Sequence, residues 1–131
     1  MTPPITTSLA PWLTLPEGES AVTFYKNAFG AVETYRLAMS GGLIVRLAVE
    51  SAEFWISWEQ SADAKQRQPV GGDSIRMILT VADAHSMFAQ AIKAGGVEVF
   101  PVGEEHGWLL GRLTDPFGLD WEIGHPTENA V

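Results

Sequence analysis

The chain has no cysteine among its 131 residues. That excludes disulfides, thiolate nucleophiles and zinc–thiolate centres, and leaves three histidines and the carboxylates as candidate metal ligands. Basic residues are also scarce: Lys and Arg number 8 against 16 Asp and Glu, a net charge of −8. Nucleic acid and anionic membranes need clustered cations, so neither is an expected partner, and the acidity is read as a solubility device. No apolar run reaches the roughly 18 residues that a membrane-spanning helix requires. The start, Met-Thr-Pro-Pro, carries no basic segment followed by an apolar one, so a secretory signal is not expected and a cytoplasmic location is. With 46% apolar residues and only 18% charged, the chain is too hydrophobic to stay disordered. A single domain of this length can bury roughly two-thirds of its unfolded surface.

What the sequence does contain is an internal repeat. The stretch from Ala10 to Trp58 returns between Arg76 and Ile123 at an offset of 66 positions. Leu13 and Leu15 match Leu79 and Val81, Gly30 matches Gly96, Arg46 matches Arg112, and Trp55 matches Trp121. A duplicated unit can be compared with itself, and a polar position that differs between the copies carries information that packing alone does not supply.

Each copy reads as β-α-β-β-β. In the first, Ser8–Leu15 is a β-prone run stopped by Pro16-Glu17-Gly18-Glu19. The apolar positions Ala21, Val22, Tyr25, Ala28 and Phe29 then keep helical spacing up to a C-cap at Gly30. Strands follow over Val32–Ala38, Leu43–Val49 and Glu53–Trp58. Residues 59–73, without period and rich in Gln, Ala, Gly and charge, read as a linker. In the second copy Ile75–Val81 is a strand, Asp83 caps a helix closed by Gly95-Gly96, and strands are expected near Val97–Val102, Trp108–Leu113 and Leu119–Gly124. Thr114-Asp115-Pro116-Phe117-Gly118 has turn chemistry, and Asp115 is assigned to that turn rather than to catalysis. The expected organisation is one domain of two modules, residues 8–58 and 74–125.

The segments Phe24-Tyr25-Lys26-Asn27-Ala28-Phe29-Gly30-Ala31 and Gly111-Arg112-Leu113-Thr114-Asp115-Pro116-Phe117-Gly118-Leu119-Asp120-Trp121-Glu122-Ile123 sit at corresponding ends of the two units. They resemble the vicinal oxygen chelate superfamily of glyoxalases, bleomycin-resistance proteins and extradiol dioxygenases, and within it the uncharacterised glyoxalase-like branch. The resemblance covers residues 8 to 125. It implies an α+β fold of two βαβββ modules forming an open, curved, mostly antiparallel eight-stranded sheet around a cavity, with the helices on the convex side. It also implies a homodimer and a small-molecule ligand.

Metal-using members carry one ligand on the first and one on the last strand of each unit, usually His or Gln and Glu. The matching positions here are Ala10, Arg76, Glu122 and, by the 66-residue offset, Ile56, so one donor of four survives. A methyl, a sec-butyl and a guanidinium have no lone pair to give a cation. No cofactor is therefore expected, although a divalent metal stays open at non-standard positions, with Glu122, His106 and Glu105 as the fallback ligands. Strand alternation turns Arg46 away from the core series Leu43, Val45, Leu47 and Val49, and the repeat does the same for Arg112. Parity with the ligand positions adds Trp12, Phe54 and Trp58 to the cavity wall, and Trp108 stands at its rim. Arg76 and Glu122 are expected to face each other as an ion pair in the volume of the lost metal, with Glu122 as the tentative catalytic group. Each residue has a plainer reading: an exposed arginine, core or dimer packing for the aromatics, a solvated loop for His106, and exposed positions for His85 and His125. Two functions remain open. One is a metal-free small-molecule-binding protein with an aromatic, arginine-containing cavity; the other is a metal-dependent lyase, isomerase or dioxygenase.

Overall fold

The computed structural model describes residues 4–59 and 75–127. Its first module consists of β1 (Trp12–Thr14), α1 (Gly18–Phe29), β2 (Val32–Met39), β3 (Gly42–Val49) and β4 (Ala52–Glu59). The second consists of β5 (Arg76–Thr80), α2 (Ala84–Ala94), β6 (Val97–Glu105), β7 (Trp108–Thr114) and β8 (Asp120–Pro126). The stretch expected to be a linker lies outside the described residues apart from Glu59, which ends β4.

The eight strands divide between two four-stranded sheets, ordered β1-β4-β3-β2 and β5-β8-β7-β6. In each, the short first strand runs parallel to the last and the other pairs are antiparallel. Such a module places its first and last strands side by side, and both first strands lie at a sheet edge. The helices begin and end where local chemistry dictates. Gly30, at φ 70°, sits in the left-handed region that favours glycine; its N–H reaches back to the Lys26 carbonyl, and the N–H of Ala31 to the Tyr25 carbonyl. Asp83 accepts the Ser86 N–H at 3.1 Å and caps α2. Across the modules, Gln90 of α2 donates to the carbonyls of Asn27 and Ala28 at the end of α1.

The core lies between the helices and one face of each sheet, and it is continuous across the modules. Tyr25 and Phe29 of α1 meet Trp121 of β8 with ring centroids 5.5 and 4.7 Å apart, and Phe54 of β4 meets Trp121 at 5.7 Å. At its centre is Asp115, only 3% exposed. Its Oδ1 accepts the N–H groups of Phe117 and Leu119 at 2.9 and 3.0 Å, the turn role its sequence context implies. Its Oδ2 accepts the Tyr25 hydroxyl at 2.5 Å and the Trp121 indole N–H at 2.9 Å. A turn residue of the second module thereby ties down the helix of the first, with every strong acceptor site of the buried carboxylate used.

The repeat is not uniform. Ala48 pairs with Glu53 across the β3–β4 turn, and Thr114 pairs with Asp120 across the β7–β8 turn. Four residues stand within the first turn and five within the second, so the offset is 66 between β3 and β7 and 67 between β4 and β8. Because strand side chains alternate, a shift of one residue exchanges the two faces. Leu47 pairs with Phe54 and Leu113 with Trp121, so the counterpart of the core residue Trp121 is Phe54. Arg46 pairs with Trp55 and Arg112 with Glu122, so the counterpart of Glu122 is Trp55, not Ile56. The expectation that Phe54 and Trp58 share a sheet face with Arg46 and the family's ligand positions is corrected by this shift. Phe54 is buried, and Trp58 packs on the core beside Gly18 of α1.

Candidate functional site

The sheet faces turned away from the helices carry the polar and aromatic side chains that the core excludes. On the first sheet, Trp12 of β1 stacks on Trp55 of β4, with ring centroids 5.6 Å apart and planes 17° from parallel. Tyr35 of β2 meets Trp55 edge-on at 5.7 Å, and the Arg46 guanidinium lies 5.3 Å from the centre of the Trp55 rings. Trp12 donates its indole N–H to Ser57 Oγ at 2.8 Å, and Ser57 donates in turn to Thr14 Oγ1 at 3.2 Å. That chain fixes the ring and leaves its π face to the solvent, with Trp12 51% exposed. Arg46 is held by Thr34 Oγ1 at 2.8 Å and by Glu53 at 3.2 Å.

On the second sheet, Glu122 stands between two arginines. Arg112, directly opposite on β7, donates from Nη2 to Glu122 Oε1 at 3.0 Å. Arg76 comes to the same oxygen at 3.6 Å, a Coulombic approach beyond hydrogen-bond range. The expected pair therefore exists, but register makes Arg112 the closer partner: on the parallel β5, Ile78 is opposite Glu122 and Arg76 is opposite Asp120. The side chains of Glu122 and Arg112 are 15% and 17% exposed and that of Arg76 is 41%. Arg112 also lies 5.3 Å from the Phe100 ring, and its Nε is buried without a hydrogen-bond partner.

These residues do not fit the divalent metal that the fold family implies. The corrected set of positions is Ala10, Trp55, Arg76 and Glu122, in which one side chain has a lone pair to offer, and its nearer oxygen is bonded to a guanidinium. The fallback set is not assembled either. His106 is 91% exposed at a turn, with Glu105 3.8 Å away, whereas Glu122 lies inside β8. Among the described residues, no three His, Asp or Glu side chains are grouped closely enough to hold an ion. Trp108 begins β7 at the end of the same turn, half-buried.

Where the two modules meet, a groove of about 460 Å³ runs between residues 9–11 and β5, with Phe54 and Trp121 in its lining. Trp55 and Tyr35 are the site residues that sequence reasoning missed. Matching the apolar series Phe54, Ile56 and Trp58 to Trp121 and Ile123, rather than tryptophan to tryptophan, gives the offset that exposes Trp55.

Taken together, the paired modules, the mixed sheets and the polar open faces define an α+β protein of the glyoxalase fold. Residues 12–123 match the model of the Glyoxalase/Bleomycin resistance protein/Dioxygenase superfamily, and the chain belongs to that family. An uncharacterized protein of Mycobacterium tuberculosis is 30% identical over 130 residues, covering 94% of this chain and 76% of the relative. The crystal structure of an Arabidopsis thaliana gene product aligns with TM-score 0.64 at 29% identity, covering 91% of this chain and 97% of that one. A glyoxylase/bleomycin resistance protein/dioxygenase domain from Frankia sp. aligns with TM-score 0.75 over 96% of both chains. At 13% identity that last likeness concerns the fold alone.

Proposed function

We propose that the protein binds a small, flat, anionic molecule through aromatic and arginine side chains, without the metal that many relatives in this superfamily use. The observation that carries this reading is the occupation of Glu122 by Arg112 at 3.0 Å, with Arg76 alongside. The only carboxylate at the family's ligand positions is committed to a cation of the protein itself. The indole face of Trp12 and the edge-on Tyr35 supply stacking surface, and an aromatic platform of this kind prefers planar partners. Glu122 is the candidate acid–base group for a reaction on the bound molecule. The exposed apolar side chains Val32, Leu37 and Met39 on β2 and Val97 and Val99 on β6 support a homodimer that covers them.

The test is a thermal-shift screen of the protein purified without chelator, with Ni²⁺, Mn²⁺, Zn²⁺ and Fe²⁺ in one arm and small aromatic acids and amines in the other. Saturating ligand raises Tm through its binding free energy. Stabilisation by aromatic acids and none by metals supports the proposal. A shift of several degrees with one metal, lost in Glu122→Gln or His106→Ala, would replace it with the metal-dependent lyase, isomerase or dioxygenase reading.

A further inference from the structure

The groove at the module junction has its own chemistry. Its lining includes the aromatic rings of Phe54 and Trp121 and the apolar side chains of Pro11, Val49 and Met77. Its volume of about 460 Å³ suits a small organic ligand. Two ionisable side chains reach it, Glu53 and Arg76, and they differ in how far they are satisfied. Glu53 is 3.2 Å from Arg46 Nε and is neutralised there. Arg76 makes no hydrogen bond among the described residues. Among the described residues the one carboxylate within 4 Å of it is Glu122, at 3.6 Å, and the oxygen concerned is already bonded to Arg112. Asp120, opposite Arg76 on β8, accepts the Thr114 hydroxyl at 2.7 Å and contributes negative charge nearby without pairing. The groove therefore offers an apolar body and one guanidinium whose forked donors are not hydrogen-bonded among the described residues.

We infer that this groove binds an amphiphilic monocarboxylate, its apolar body lying over Phe54 and Trp121 and its carboxylate on Arg76. The inference rests on the small-molecule reading above, narrows the anion to a monocarboxylate and places it in the groove instead of on the Trp12 and Tyr35 face. A guanidinium holds a carboxylate through two parallel hydrogen bonds, which neither a neutral amide nor an ammonium ion can reproduce. The charge pattern agrees: the one carboxylate in the groove lining, Glu53, is engaged by Arg46, so an aromatic or aliphatic cation would meet Arg76 with no free carboxylate in the lining to answer it.

Titration calorimetry with 1-naphthoate, 1-naphthamide and 1-naphthylmethylammonium tests this directly. Naphthoate is expected to bind at least about tenfold more tightly than the other two. Arg76→Gln should remove that preference while leaving naphthamide binding unchanged, Arg76→Lys should restore part of it, and Asp120→Asn should strengthen naphthoate binding by lifting a repulsion. Ala10→Phe, which places a ring in the groove, should weaken all three probes. Equal affinity for the three probes, no binding of naphthoate at millimolar concentration, or indifference to both Arg76→Gln and Ala10→Phe would overturn the inference. Naphthoate binding that survives Ala10→Phe and is lost in Trp55→Ala would overturn the groove assignment yet leave the small-molecule reading standing, with the ligand on the open face instead.

Discussion

Replacing Tyr25 by phenylalanine removes one oxygen and tests the link between the modules. Its hydroxyl is 2.5 Å from Asp115 Oδ2 in a site closed to water, and the ring keeps its aromatic neighbours in the variant. A hydrogen bond to a charged group contributes about 1.5–3 kcal/mol. Asp115 retains its three other donors, from Phe117, Leu119 and Trp121, so the loss should fall within that range and not approach the cost of a bare buried charge. Asp115→Ala strands all four donors at once and should cost more than about 4 kcal/mol, a large part of a small domain's stability. Urea unfolding followed by tryptophan fluorescence reads both. A Tyr25→Phe cost below about 0.5 kcal/mol would refute the claim that this bond joins the modules. The same pair also sets a pH signature. Burial first, and then the Asp115 charge, push the Tyr25 phenol well above the usual phenol range from its ordinary 10.0. A group whose folded pKa is raised contributes stability that is fully present below the unfolded pKa and is lost as pH rises beyond it. Stability should therefore decline as pH climbs above 10, and that part of the decline should vanish in Tyr25→Phe.

Three further outcomes follow from the geometry. Arg112→Met leaves the nearly buried Glu122 without its hydrogen-bonded partner and should cost about 1–3 kcal/mol, whereas Arg76→Ala, breaking a longer and more exposed pair, should cost less than about 1 kcal/mol in the same denaturant assay. A larger loss at Arg76 would reverse the assignment of the closer partner. Gly124→Ala would put a Cβ 2.4 Å from the Leu109 carbonyl oxygen, a backbone atom, and should destabilise by about 2 kcal/mol or more, while Gly103→Ala meets open space and should be nearly neutral by calorimetric Tm. Trp55→Ala removes the partner on which Trp12 stacks and should blue- or red-shift and broaden the remaining emission while changing stability by no more than about 2 kcal/mol, because the ring lies on the open face. A collapse of the fold would place Trp55 in the core.

Much of the fold was legible in the residues. The doubled β-α-β-β-β order, the cap at Asp83, the stop at Gly30 and the inward series of β3 follow from periodicity and turn chemistry, which are local. The open-face placement of Arg46 and Arg112 was legible for the same reason, since both precede the turn at which the copies diverge. In the first module the residues after that turn were misassigned. An offset taken from matching tryptophans carried Phe54 and Trp58 to the wrong side of β4 and left Trp55 unnoticed.

The sequence by itself determined the module, its duplication and the scarcity of metal donors, because each depends on residue type and on spacing over a few turns of chain. Tertiary structure decided which face of β4 meets solvent, because one extra residue in the 115–119 turn exchanges alternating side chains, and only strand pairing records it. It also decided that Asp115 closes a contact with Tyr25, 90 positions away, and that Arg112 rather than Arg76 holds Glu122 most closely. Partners of this kind are set by register and by packing between distant segments, which periodicity along one strand does not encode.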